Sequence, residues 1–155
     1  MNIHKYNMEP PSNIVQRELS GRKSGKKHLP CGSESILLVE DDHLVRKMTA
    51  VMLNKLGYHI MAADSPLKAI SLFRDHNQNI DLVLTDVLMP EMNGVELRNK
   101  MIELKPDIRV LFMSGYTSDV ILPGEILENK TAFIPKPFNL KALAEKVRHV
   151  INLPQ

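Results

Sequence analysis

Cysteine is nearly absent from this chain. Cys31 stands alone, so no internal disulfide can form, and the usage fits a reducing cytoplasm. No Cys/His pair has the spacing of zinc ligands, which removes a structural zinc site from consideration. The six histidines are scattered and read as surface or boundary residues. Long hydrophobic runs are also missing. No apolar stretch approaches the roughly 18 residues of a membrane helix, and the N-terminus has no apolar core of a secretory signal. A strong excess of one charge is missing too, with a net charge of +2.

That small excess is unevenly spread. Residues 1–34 carry six Lys/Arg against three Glu, whereas residues 35–155 carry fourteen Lys/Arg against fifteen Asp/Glu. The basicity belongs to the N-terminal segment and argues against a nucleic-acid-binding face on the rest. What is present suits one globular domain with a full core: 155 residues, 43% hydrophobic and 25% charged.

Residues 1–34 read as a flexible basic linker or tail, punctuated by Pro10-Pro11, Ser20-Gly21, Ser24-Gly25 and Pro30. A short helical turn fits residues 12–19. The run from Gly21 to Lys27 is not a phosphate-binding loop. Its spacing is one residue short, no Ser/Thr follows the Lys, and no strand precedes it.

From Ser35 onward, short apolar runs alternate with helical periodicity. Strands are expected at residues 36–39, 58–62, 80–85, 108–113 and 131–134. Leu44, Met48, Met52 and Leu56 recur at helical spacing behind a cap at Asp42, and Gly57 ends that helix. Ser65-Pro66 opens a second helix with Ala69, Ile70 and Phe73 inward. Asn93 and Glu96 form a capping-box pattern that opens a third helix, Leu97, Met101 and Leu104 continue its buried face, and Pro106 ends it. A fourth helix from Thr117 is expected to be short or irregular because Pro123-Gly124 interrupts it. Asn139 caps a last helix with Leu140, Leu143, Ala144, Val147 and Ile151 inward. Met48, Met52, Met61, Met101 and Met113 read as core packing. Five strand–helix repeats predict an α/β fold: a doubly wound five-stranded parallel sheet with helices on both faces.

The chemistry gathers at the strand ends. Glu40 and Asp41 follow the first strand, Asp86 the third, Ser114 the fourth and Lys136 the fifth. In strand order 2-1-3-4-5, the first and third strands are neighbours at the switch point where such sheets bind ligands. Three carboxylates converging there repel unless a cation enters. A hard divalent ion with oxygen ligands fits, and Mg²⁺ is the natural choice. Such a pocket can accept a phosphoryl group on a carboxylate. Taken singly, Asp42 is better read as a helix cap, Lys136 as a solvated lysine and Ser114 as a turn residue. Their joint placement is what carries the chemical reading.

The motifs I-L-L-V-E-D-D, L-T-D-V-L-M-P-E-M-N-G, L-F-M-S-G-Y and F-I-P-K-P-F resemble the receiver domain of two-component response regulators over residues 35–152. The resemblance implies that Asp86 is the phosphoacceptor, that Asp41 binds the metal directly and that Glu40 acts through water. It implies a metal contact from the backbone carbonyl of Leu88, and it matches Ser114 and Phe133 to the switch pair. Lys136 matches the active-site lysine, and Lys136-Pro137 a cis peptide. Leu88 and Tyr116 flank the path of an attacking water and would tune dephosphorylation. The implied phosphoryl donor is a sensor histidine kinase or a histidine phosphotransfer protein, and the pattern is most like receivers joined to hybrid sensor histidine kinases. Homodimerisation through the fourth helix is common in the family, and Pro123-Gly124 stands against that mode here. Two other classes are an aspartate-nucleophile phosphatase and a docking module that takes no phosphate. The phosphatase pattern needs an Asp two residues after the nucleophile, where this chain has Leu88. The complete set of acids, Ser114 and Lys136 argues against the docking module.

Overall fold

A computed structural model of the chain describes residues 28–115 and 133–154. Within them lie strands β1 (Ser35–Val39), β2 (His59–Ala63), β3 (Leu82–Asp86), β4 (Arg109–Ser114) and β5 (Phe133–Pro135). The helices are α1 (His43–Lys55), α2 (Pro66–His76), α3 (Gly94–Leu104) and α4 (Leu140–Ile151), with one 3₁₀ turn at Asn77–Asn79. All strand pairs are parallel, as the repeats predict, and the order is β2-β1-β3-β4-β5, the one in which the first and third strands are neighbours. The region from Tyr116 through Ala132, which includes the expected fourth helix, lies outside the described residues.

Alternation along the central strands builds two cores. Leu37 and Val39 face Phe73, Leu97 and Met101, on the side of α2 and α3. Ile36 and Leu38 face Leu53, Leu143 and Val147, on the side of α1 and α4. Every residue of β3 is buried, because this strand is covered on both faces.

The helix starts follow their caps. The Asp42 side chain accepts from the backbone N–H groups of Leu44 and Val45 at 2.8 and 2.9 Å. Ser65 caps α2 ahead of Pro66, Asn93 and Glu96 complete a capping box on α3, and Asn139 caps α4. Gly57 follows α1 at φ 92°, and a Cβ there would lie 2.4 Å from the Gly32 carbonyl oxygen. Both the left-handed backbone and the close approach require glycine.

Three packing expectations are corrected. Leu44 and Met48 are 68% and 60% exposed, while Thr49 and Leu53 form the buried face of α1. Apolar residues occupy both sides of this helix, so periodicity alone could not choose the inward one. Leu104, the last residue of α3, is also exposed, because the buried seam ends at Met101. Finally, residues 29–34, expected as linker, pack on the domain. Leu29 joins the α1–α4 core, the Gly32 N–H donates to the Leu56 carbonyl at 3.0 Å, and Arg148 pairs with Glu34 at 2.6 Å. These contacts join residues distant in sequence, so local composition could not reveal them.

Candidate functional site

The strands end where the site begins. Asp86 is the last residue of β3 and Ser114 the last of β4, one residue further than expected in each case. Glu40 and Asp41 directly follow β1, and Lys136 directly follows β5. Because β1 and β3 pair directly, carboxylate oxygens of Glu40, Asp41 and Asp86 lie within 4.8 Å of one another. Glu40 and Asp86 are 1% and 7% exposed, whereas Asp41 opens to solvent.

Lys136 closes the cluster. Its Nζ lies 2.6 Å from Glu40 Oε2 and 3.2 Å from Asp86 Oδ1. The Lys136 backbone N–H donates to the Ser114 carbonyl at 2.7 Å, which ties the lysine to the end of β4. The Lys136-Pro137 peptide is cis, as the resemblance implied. The remaining Glu40 oxygen, Oε1, accepts from the Asp42 N–H at 3.2 Å. Asp86 Oδ1 also accepts from the Val87 N–H at 2.9 Å, and the Thr85 hydroxyl donates to the Asp86 carbonyl at 2.9 Å.

The loop after Asp86 is shaped by close approach. A Cβ on Gly94 would sit 2.3 Å from the Asp86 carbonyl oxygen, so only glycine lets α3 start this near the site. Leu88 lies in this loop and is 53% exposed. Phe133 opens β5, half-buried against the α2–α3 core. Tyr116 lies outside the described residues. Sequence reasoning missed Arg46, whose Nη1 donates to the carbonyls of Glu40 and Asp41 at 2.6 and 3.1 Å. Its one signal was a cation in the opening turns of a helix, where the macrodipole disfavours positive charge.

Burial pushes the Glu40 carboxyl above its usual range and the Asp86 charge adds to that, against the pull of Lys136. Burial likewise raises Asp86, again against Lys136. Burial pulls Lys136 down, but the hydrogen bond to Glu40 and the charge of Asp86 outweigh it and hold the amine above its ordinary value. Three carboxylates against one ammonium leave a local charge of −2, and the donors are all hard oxygens, the set that suits a divalent cation such as Mg²⁺.

A doubly wound sheet carrying acids, a hydroxyl and a lysine along one edge defines the receiver class of signalling domains. Residues 36–148 match the response regulator receiver domain family, and the chain belongs to it. It is therefore a receiver domain of two-component systems. It is similar to the sensor kinase CckA of Brucella abortus (strain 2308), 37% identical over 120 residues, which covers 77% of this chain and 13% of that protein. It is also similar to the response regulator receiver protein CpdR of the same organism, 31% identical over 116 residues, covering 75% of this chain and 95% of that protein. The crystal structure of the receiver domain from hybrid histidine kinase CckA superposes with a TM-score of 0.64 at 32% identity, over 76% of this chain and 99% of that one. A receiver domain protein from Clostridium thermocellum shares the fold, with a TM-score of 0.68 at 23% identity over 77% and 94% of the two chains.

The raised carboxyls carry a sign. A carboxylate whose folded-state pKa lies above its unfolded value costs stability as pH rises through the two. Replacing Asp86 removes one buried charge and leaves Lys136 paired with Glu40. In metal-free buffer, Asp86→Asn is expected to be more stable than wild type at neutral pH, by on the order of 1 kcal/mol. The difference should grow as pH rises from about 4, the ordinary carboxylate value, through the raised folded-state value. Urea denaturation across that range checks this, and a variant less stable at every pH would contradict it.

Proposed function

We propose that Asp86 accepts a phosphoryl group from a phosphohistidine of a sensor histidine kinase or a histidine phosphotransfer protein. The observation that carries this reading is the convergence of the Glu40, Asp41 and Asp86 oxygens within 4.8 Å beside the Lys136 ammonium. An Asp86 oxygen attacks phosphorus, an O–P bond forms as the N–P bond breaks, and the electron pair returns to the imidazole nitrogen. Little covalent work is asked of the protein, so positioning and charge neutralisation dominate.

Asp41, Asp86 and the Leu88 carbonyl would hold Mg²⁺ directly. Both Glu40 oxygens already accept hydrogen bonds, which favours a contact through water. When bound, the ion supplies positive charge opposite the phosphoryl oxygens. Lys136 pairs with one of those oxygens and the Ser114 hydroxyl donates to another. Phe133 then turns toward the space that Ser114 releases, and the β4–β5–α4 face changes its affinity for partners. In this reading the domain is not itself a phosphatase: Leu88 stands where that chemistry needs a second acid. The domain works in the cytoplasm, and residues 1–27 serve as a basic linker.

Two measurements follow. With acetyl phosphate and Mg²⁺, wild type should incorporate label and Asp86→Asn should fall to background; label retained at the wild-type level would sink the assignment. Leu88 is bulky, exposed and unable to orient water, and Tyr116 flanks the same path in sequence. Self-dephosphorylation is therefore expected to be slow, and the double substitution Leu88→Asn with Tyr116→Glu should speed it several-fold. An unchanged decay rate would refute that role.

A further inference from the structure

We propose that Arg46 is a positioning residue that fixes the backbone of Asp41, and with it the direction in which that side chain leaves the chain, and thereby tunes the affinity of the acid cluster for a divalent cation. The inference rests on the metal-binding reading above. Its basis is the loop between β1 and α1, where two residues, Glu40 and Asp41, separate Val39 from the cap Asp42.

Glu40 is well held. Its N–H donates to the Ala63 carbonyl of β2 at 3.2 Å, and its carboxylate takes Lys136 and the Asp42 N–H. Asp41 has no such side-chain tie among the described residues, and it is the exposed member of the cluster. What fixes its backbone is Arg46. The Glu40 and Asp41 carbonyls belong to the two peptide planes that flank the Cα of Asp41. Both accept from the same nitrogen, Arg46 Nη1, at 2.6 and 3.1 Å. Orienting both planes sets φ and ψ of Asp41, and so the direction of the Cα–Cβ bond from which its carboxylate projects.

The anchor is built into the start of α1. The Arg46 N–H donates to the Asp42 carbonyl at 2.9 Å, within the opening turns of α1, and Asp42 caps that helix. A helix, a cap and one guanidinium thus close the loop back on itself. A cation so near a helix N-terminus works against the macrodipole. The two carbonyl contacts offset that cost, whereas a purely solvated arginine would gain nothing by standing there.

The test is a Mg²⁺ titration of the intact chain by calorimetry, with the Mg²⁺ dependence of acetyl phosphate labelling beside it. Arg46→Met keeps the aliphatic stem and removes the donors. It is expected to weaken Mg²⁺ binding about 10-fold, the low end for loss of a group that orients a metal ligand. The labelling curve should shift to higher Mg²⁺ by the same factor and reach the wild-type plateau. Arg46→Lys, which retains a charged donor, should fall between the two, and it carries the comparison if Arg46→Met does not fold. Affinity equal to wild type in both variants, or a lost plateau with an unmoved midpoint, overturns the role of Arg46. Absence of Mg²⁺ binding in wild type overturns the metal-site reading and this inference together.

Discussion

Three carboxylates held at the edge of a sheet with one ammonium between them set the terms for the rest of this protein. At the observed approach of their oxygens, each like-charge pair costs about 3–4 kcal/mol at an effective dielectric near 20. Lys136 relieves two of the three acids directly and leaves a deficit of two charges. A site built this way has a standing demand for positive charge. It becomes a place where a divalent ion, and with it a dianionic phosphoryl group, is electrostatically welcome.

The fold is what enforces the conflict. Parallel pairing of β1 with β3 brings residues some forty positions apart to the same sheet edge. Adding β4 and β5 on one side brings Ser114 and Lys136 to the same edge. Tightly packed backbone then prevents the acids from relaxing apart. Gly94 lets α3 start against Asp86, Asp42 fixes the start of α1, and Arg46 holds the intervening carbonyls. Stability is given up at the sheet edge and supplied by the two cores beneath it, as expected where function requires strain or like charges.

Much of this was legible in the sequence, and the reason is locality. Caps at Asp42, Ser65, Asn93 and Asn139 act within a single turn, so their signals survive intact in the order of residues. The doubly wound parallel sheet followed from the alternation of elements and the handedness of crossovers. The acids, Ser114 and Lys136 could be placed because each sits at the end of an apolar run. Contacts that join distant residues were not legible. The inward face of α1 was misread because Leu44, Met48 and Val51 make its outer face apolar as well. The Arg148–Glu34 pair and the packing of Leu29 depend on α4 returning beside β1, which no local pattern encodes. Arg46 was overlooked because its importance lies in which carbonyls it reaches.

In the proposed reaction Asp86 receives the phosphoryl group. The most direct measurement is to phosphorylate the chain with a histidine-phosphorylated donor and Mg²⁺, trap the acyl phosphate by borohydride reduction, and map the modified residue by peptide mass spectrometry. The account predicts conversion at Asp86 and nowhere else, abolished when Mg²⁺ is chelated. Modification at Glu40, Asp41 or Asp42, or equal modification without Mg²⁺, would contradict it.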